Sequence, residues 1–158
     1  MKLIRNAVAT LAILAGPASW LVCGPAAAAG DACKLEINAN DSMQYDKKTL
    51  AVPASCKEVT VTLHNVGKLP ANAMGHNWVL VNTADLAALA TASMGVGLAD
   101  NYVPANDKRV LAHTKIVGGG QATSVTFATA GLKAGGDYSF LCTFPGHNAL
   151  MRGTFKVG

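Results

Sequence analysis

The sequence predicts an all-β domain, a sandwich or barrel of short strands with one inserted helix. Two observations carry this. Short runs alternate apolar and polar residues, as in "KEVTVTLHN" (57–65) and "TSVTFA" (123–128), and clusters of Gly, Pro, Asn and Asp separate them. Period-two alternation puts one set of side chains on a buried face, and frequent turn residues favour strands joined by tight connections. A single Ala- and Leu-rich stretch, "TADLAALATASM" (83–94), breaks the pattern.

Taken in order, residues 1–30 read as a leader rather than as part of the fold. "MKLIRN" carries Lys2 and Arg5, "AVATLAILAGPASWLV" is apolar but broken at Gly16-Pro17, and "PAAAAG" is made of small residues. That charged, apolar, small-residue order is that of a secretory signal peptide. Cleavage after Ala29 or after Gly30 fits equally. Lipid attachment at Cys23 is disfavoured, because Val22 stands where a small residue is needed. Residues 31–158 then form one domain of 128 residues, enough for its own core.

"KLEIN" (34–38) opens the strands. In 57–65, Val59, Val61, Leu63 and Asn65 share one face, and Thr60, Thr62 and His64 the other. In "HNWVLV" (76–81), His76, Trp78 and Leu80 share a face, with Trp78 assigned to the core. The helix at 83–94 has Thr83 or Asp85 as its cap and stops before Gly95. "TKIV" (114–117), "TSVTFA", "YSFLCTF" (138–144) and "GTFKV" (153–157) complete the strands, with Tyr138, Phe140, Cys142 and Phe144 on one face.

Without Lys2 and Arg5 the formal charge falls from +4 to +2, and no basic run or acidic tail is present. That bias is too weak to argue for nucleic acid or an acidic surface as partner. Three cysteines remain beyond the leader: Cys33, Cys56 and Cys142. An odd count in an exported chain means a free thiol or an intermolecular bridge. A bridge between Cys33 and Cys56 would close a loop of 22 residues and stabilise by roughly 3 kcal/mol. It would leave Cys142, a thiol that an oxidising compartment threatens unless something holds it.

A metal would hold it. "CTFPGHNALM" (142–151) sets Cys142, His147 and Met151 around a Pro145-Gly146 turn. "MGHNW" (74–78) offers His76 from another strand, after Gly75, whose bare backbone lets its carbonyl approach closely. A thiolate and two imidazoles with a weak axial thioether suit copper in both oxidation states. Zinc also accepts Cys-His-His ligands, but the thioether favours copper. His64 and His113 lack such companions.

These residues carry a resemblance. "CKLEINANDSMQYD", "SCKEVTVTL", "NAMGHNWVL", "AHTK", "SVTF" and "CTFPGHNALM" together resemble the azurins, bacterial periplasmic members of the cupredoxin family. The Cys-x4-His-x3-Met spacing is the specific part, since plastocyanins and pseudoazurins use a shorter Cys-to-His gap. The resemblance implies a Greek-key sandwich of about eight strands with a helical flap, and a Cys33–Cys56 disulfide. It implies one copper ion held by His76, Cys142 and His147, with Met151 and the Gly75 carbonyl as distant axial contacts. Asn77 would tie the ligand loop to the neighbouring strand, with Phe144 beside it. A partner-docking patch would comprise Met43, Leu69, Ala73, Met74, Met94, Phe144, Pro145, Ala149 and Leu150. The chain departs from many azurins in one respect: they carry an inward histidine where Asn65 stands here.

The function expected is that of a soluble, monomeric periplasmic one-electron carrier. Its transient partners would be redox proteins such as c-type cytochromes or periplasmic reductases and dehydrogenases. No nucleic acid and no stable membrane association is expected. No paired carboxylates or nucleophile triad accompany the ligands, which argues against an enzyme. Copper storage or delivery is the alternative, but such proteins tend to use exposed, exchangeable Met or His clusters. A copper oxidase or reductase would need a second metal site, and His64 and His113 are too few to build one.

Overall fold

The computed structural model describes residues 32–158. The leader expected at 1–30, with Cys23, lies outside the described residues. The strands are β1 (Lys34–Asn40), β2 (Gln44–Tyr45), β3 (Thr49–Val52), β4 (Glu58–Asn65), β5 (Val79–Asn82), β6 (Ala112–His113), β7 (Ala122–Ala128), β8 (Tyr138–Leu141) and β9 (Arg152–Val157). Two helices interrupt them, a single turn α1 (Ala71–Met74) and α2 (Leu86–Ser93). The expected sandwich is found, with nine strands among the described residues, of which β2 and β6 have two residues each.

One sheet has the order β2-β1-β4-β7 and the other β3-β9-β8-β5-β6. The chain crosses repeatedly between them, so β1 pairs parallel with β4 and β3 parallel with β9. The alternation in β4 does what period two requires. Val59, Val61 and Leu63 are fully buried, Asn65 nearly so, and Thr60, Thr62 and His64 face outward. On that outer face Thr60 and Thr62 meet Thr126 and Ser124 of β7, each pair at 2.9 Å, a cross-strand contact that stabilises the sheet.

Between the sheets, Trp78 packs against Phe127, Phe140 and Phe155 with ring centroids 5.9–6.1 Å apart. β8 is buried on both faces. Phe140 enters the sandwich, while Leu141 joins Val79, Val81, Leu89, Ala90 and Val103 in a smaller cluster under α2. A strand covered on both sides loses its polar alternation, which is why 138–144 reads as an almost continuous apolar run. The Cys33–Cys56 bridge is formed, and Cys142 is free and buried.

Two elements differ from expectation. The helix expected over 83–94 begins with a 3-10 turn at Thr83–Asp85 before α2. The strand expected at 114–117 is not formed: β6 stops before it at His113, and only an isolated bridge between His76 and Val117 remains there. Side chains interrupt the ladder there. The Thr114 hydroxyl accepts the Trp78 N–H at 2.9 Å, and the Asn101 side chain accepts the Ile116 N–H at 2.9 Å.

Candidate metal centre

His76 reaches the site from the segment after α1. Pro70 begins that single turn, its carbonyl accepting the N–H groups of Ala73 and Met74 at 3.0 and 2.9 Å. Gly75 then passes so close to its neighbours that a Cβ would lie 2.4 Å from the Ala71 carbonyl oxygen and 2.9 Å from Ile116. His76 and Val117 exchange backbone hydrogen bonds of 3.0 and 2.9 Å. The imidazole Nε2 lies 3.0 Å from the Asn40 carbonyl oxygen. A carbonyl can only accept, so Nε2 carries the proton and Nδ1 keeps its lone pair.

That lone pair faces Cys142, whose Sγ is 4.0 Å from Nδ1 of His76 and 3.7 Å from Nδ1 of His147. Cys142 follows directly on β8, and its N–H donates to the Met151 carbonyl at 2.9 Å. His147 closes the turn between them. Its N–H donates to the Phe144 carbonyl at 3.0 Å, and Gly146 has φ of 81°, which favours glycine. The carbonyl of His147 in turn accepts from Leu150 and Met151 at 3.0 and 2.8 Å. The ten-residue loop is thus tied to itself at both ends. Phe144 stacks on the His147 ring with centroids 4.4 Å apart.

The three donor atoms lie within 4.8 Å of one another. Bonds of about 2.0–2.3 Å to one ion allow a sulfur and a nitrogen ligand to stand up to about 4.3 Å apart; the two sulfur–nitrogen separations, 3.7 and 4.0 Å, satisfy this, and the two imidazoles need only a small approach to share the ion. His76 and Cys142 are 0 % exposed and His147 is 3 %. Burial pushes the thiol up to about 11, against the pull of the Asn77 and Phe144 N–H groups that hydrogen-bond it. Burial, helped by the charge of His76, lowers His147 to about 4. Burial also lowers His76, against the Asn40 carbonyl and the charge of Asp41. Both imidazoles are therefore neutral and ready to bind at pH 7, and the thiol proton is what a cation displaces. The residues fit a copper ion.

Asn77 links the ligand loop to the rest of the sandwich. Its Nδ2 donates to Thr143 Oγ1 and the Asn101 carbonyl, both at 2.7 Å, and its Oδ1 accepts the Thr143 N–H at 2.9 Å. The Tyr45 hydroxyl donates to the Asn77 carbonyl. Met151 is fully buried where the loop closes, and Gly75 is buried beside His76.

Of the residues assigned to docking, Leu69, Met94 and Leu150 are 43, 65 and 53 % exposed. Ala73, Pro145 and Ala149 are exposed, and Met43 and Met74 are half-buried. Phe144, at 9 %, lies beneath this face rather than on it. Val66, an exposed apolar residue beside β4, had no place in the sequence reading. Asn40, Tyr45, Asn101 and Thr143 were also missed. His64 lies 3.7 Å from Glu36 on the outer face of β4, and His113 is exposed.

The profile of a family described as copper binding proteins, plastocyanin/azurin family, matches residues 31–158. The chain is 54 % identical to an azurin of Bordetella pertussis over 125 residues, 79 % of this chain and 83 % of the relative. It is 50 % identical to an azurin of Achromobacter denitrificans over 151 residues, 96 % of this chain and 97 % of the relative. Among solved structures, azurin Az-iso2 of Methylomonas sp. strain J superposes with a TM-score of 0.77 at 41 % identity, covering 80 % of this chain and 98 % of that one.

Proposed function

The chain belongs to the plastocyanin/azurin family of copper-binding proteins, and from that premise we propose that it is a periplasmic one-electron carrier rather than an enzyme. The observation that carries this is the donor set itself: one thiol and two imidazoles converging in a buried, water-poor site. Copper bound there supplies a one-electron couple, Cu(I)/Cu(II), which a mixed sulfur and nitrogen ligand set suits.

The chain's own residues do three things. They hold the donors in place from independent directions, His76 by the Asn40 carbonyl and Cys142 and His147 by hydrogen bonds within their loop. A rigid set of ligands needs little rearrangement when charge changes. They also direct the N–H groups of Asn77 and Phe144 at the sulfur, which stabilises its anionic form. Finally they bury the three donors, so substrates gain no direct access. In this reading Met151 and the Gly75 carbonyl would add two weak donors to the same ion.

Electrons pass at the edge of His147, under the face formed by Leu69, Ala73, Met94, Pro145, Ala149 and Leu150. An apolar face suits brief contact with redox proteins such as c-type cytochromes or periplasmic reductases and dehydrogenases. The leader-like sequence at 1–30 and the Cys33–Cys56 disulfide both support an oxidising, extracytoplasmic compartment. The visible spectrum of the copper-loaded protein is the test. An intense blue band that bleaches with one reducing equivalent is expected. A colourless protein whose copper passes freely to a chelator would overturn the reading in favour of storage.

A further inference from the structure

We propose that the groove between α2 and β9 extends the docking surface and takes an acidic segment of the redox partner, with a carboxylate on Arg152. The proposal rests on the electron-carrier reading above. Leu86, Ala87, Ala90 and Met94 of α2 and its end line one wall of a cavity of about 320 Å³, with Ala149 and Arg152 opposite. Leu86, Ala87 and Arg152 also line a second cavity of about 400 Å³ that runs on to Thr154. The two adjoin at these shared residues and together make up the groove. Its near end is the ligand loop itself, and Met94 and Ala149 belong both to it and to the apolar face above His147.

Its charge is of one sign where it meets that loop. Arg152 is exposed, and its guanidinium has no hydrogen bond or ion pair among the described residues. Lys48 stands beside it, its ammonium donating to the Leu150 carbonyl at 3.0 Å. At the other end, near Thr83, acidic groups are already engaged: Asp137 accepts from Thr83 at 2.7 Å, and Asp85 accepts from Asn82 at 3.2 Å. An unpaired guanidinium beside an apolar wall is matched by a carboxylate next to an apolar side chain, the carboxylate bound in bidentate fashion. Net charge beyond the leader is only +2, so the complementarity is local and sets orientation rather than general attraction.

The test is an NMR titration of the copper-loaded, reduced protein with a small acidic c-type cytochrome at low salt. Amide shifts are expected at Ala90, Met94, Ala149 and Arg152. Arg152→Glu should weaken binding about fivefold, with the difference fading at high salt. Arg152→Gln should give a smaller loss in the same direction, and the visible spectrum reports that each variant is folded. Lys133→Glu makes the same charge change beyond the end of β7 remote from the ligands, and should leave affinity nearly unchanged. Shifts confined to Leu69 and Ala73, with Arg152→Glu no weaker than Lys133→Glu, would overturn the groove and leave the apolar face standing. Shifts absent from every residue around His147 would overturn both. Binding to phosphatidylglycerol vesicles through Arg152, without binding to the cytochrome, would assign the cation to a lipid surface and also overturn the proposal.

Discussion

A backbone carbonyl, that of Asn40, decides which nitrogen of His76 is free to bind a metal. At this scale the three donors that converge, His76, Cys142 and His147, were legible, because thiol and imidazole are scarce and stand at a telling spacing. Their supports were not. Asn40 acts through its main chain, and Thr143 meets an amide 66 residues away, contacts that leave no local pattern. Cys142→Ser should abolish the blue band and the redox response, since a hydroxyl does not replace the copper–sulfur bond; a variant that stayed blue would remove Cys142 from the ligand set. Met151→Leu conserves volume and should cost less than about 1.5 kcal/mol in stability. It should keep copper and colour while raising the reduction potential, because loss of a donor disfavours Cu(II); a lowered potential in voltammetry would count against the axial role. The metal-free protein has its own pH signature. His147 falls from 6.5 unfolded to about 4 folded, so between those values the unfolded chain binds the extra proton. Stability present at neutral pH is therefore lost as pH falls from about 6.5 towards 4. Urea midpoints of the metal-free protein at pH 7 and pH 4.5 should show the drop, and His147→Gln should reduce it.

Among the elements, β4 was legible down to its register, because one face is buried and a slip of one residue would exchange every side chain. The same logic placed Asn65 inward. Its Nδ2 donates to the Val117 carbonyl at 3.1 Å and lies 3.4 Å from that of Met74, while its Oδ1 accepts the Gly67 N–H at 3.0 Å. It thereby ties β4 to Val117 and to the end of α1 just before His76. α1 was not legible, because four residues are too few to show a period, and the turn depends on the Pro70 carbonyl. β6 ends early because Thr114 and Asn101 satisfy N–H groups that a longer ladder would have paired. Asn65→Leu should leave the Gly67 N–H without its acceptor and cost roughly 1–3 kcal/mol, with faster amide exchange at Gly67. An unchanged unfolding midpoint would show that the amide is not the tie described.

Across the whole molecule, the disposition of titratable groups sets how the redox site responds to pH. The sequence holds four histidines, and two of them, His76 and His147, are ligands in the proposed site. Copper bound to those two would compete with their protons. The others lie apart from the cluster. His64 is on the solvent face of β4, 3.7 Å from Glu36, and His113 is exposed on β6. The inward position next to His64 is Asn65, which takes up no proton. Neither outer imidazole is among the three donors that converge at the site, and exposed charges are screened by salt. The reduction potential should therefore vary only weakly between pH 5 and 8 in voltammetry at physiological ionic strength. A sigmoidal fall centred near neutral pH that survived His113→Gln but vanished in His64→Gln would show that His64 does reach the site. It would also mean that Asn65 does not insulate the His76 segment from the outer face of β4.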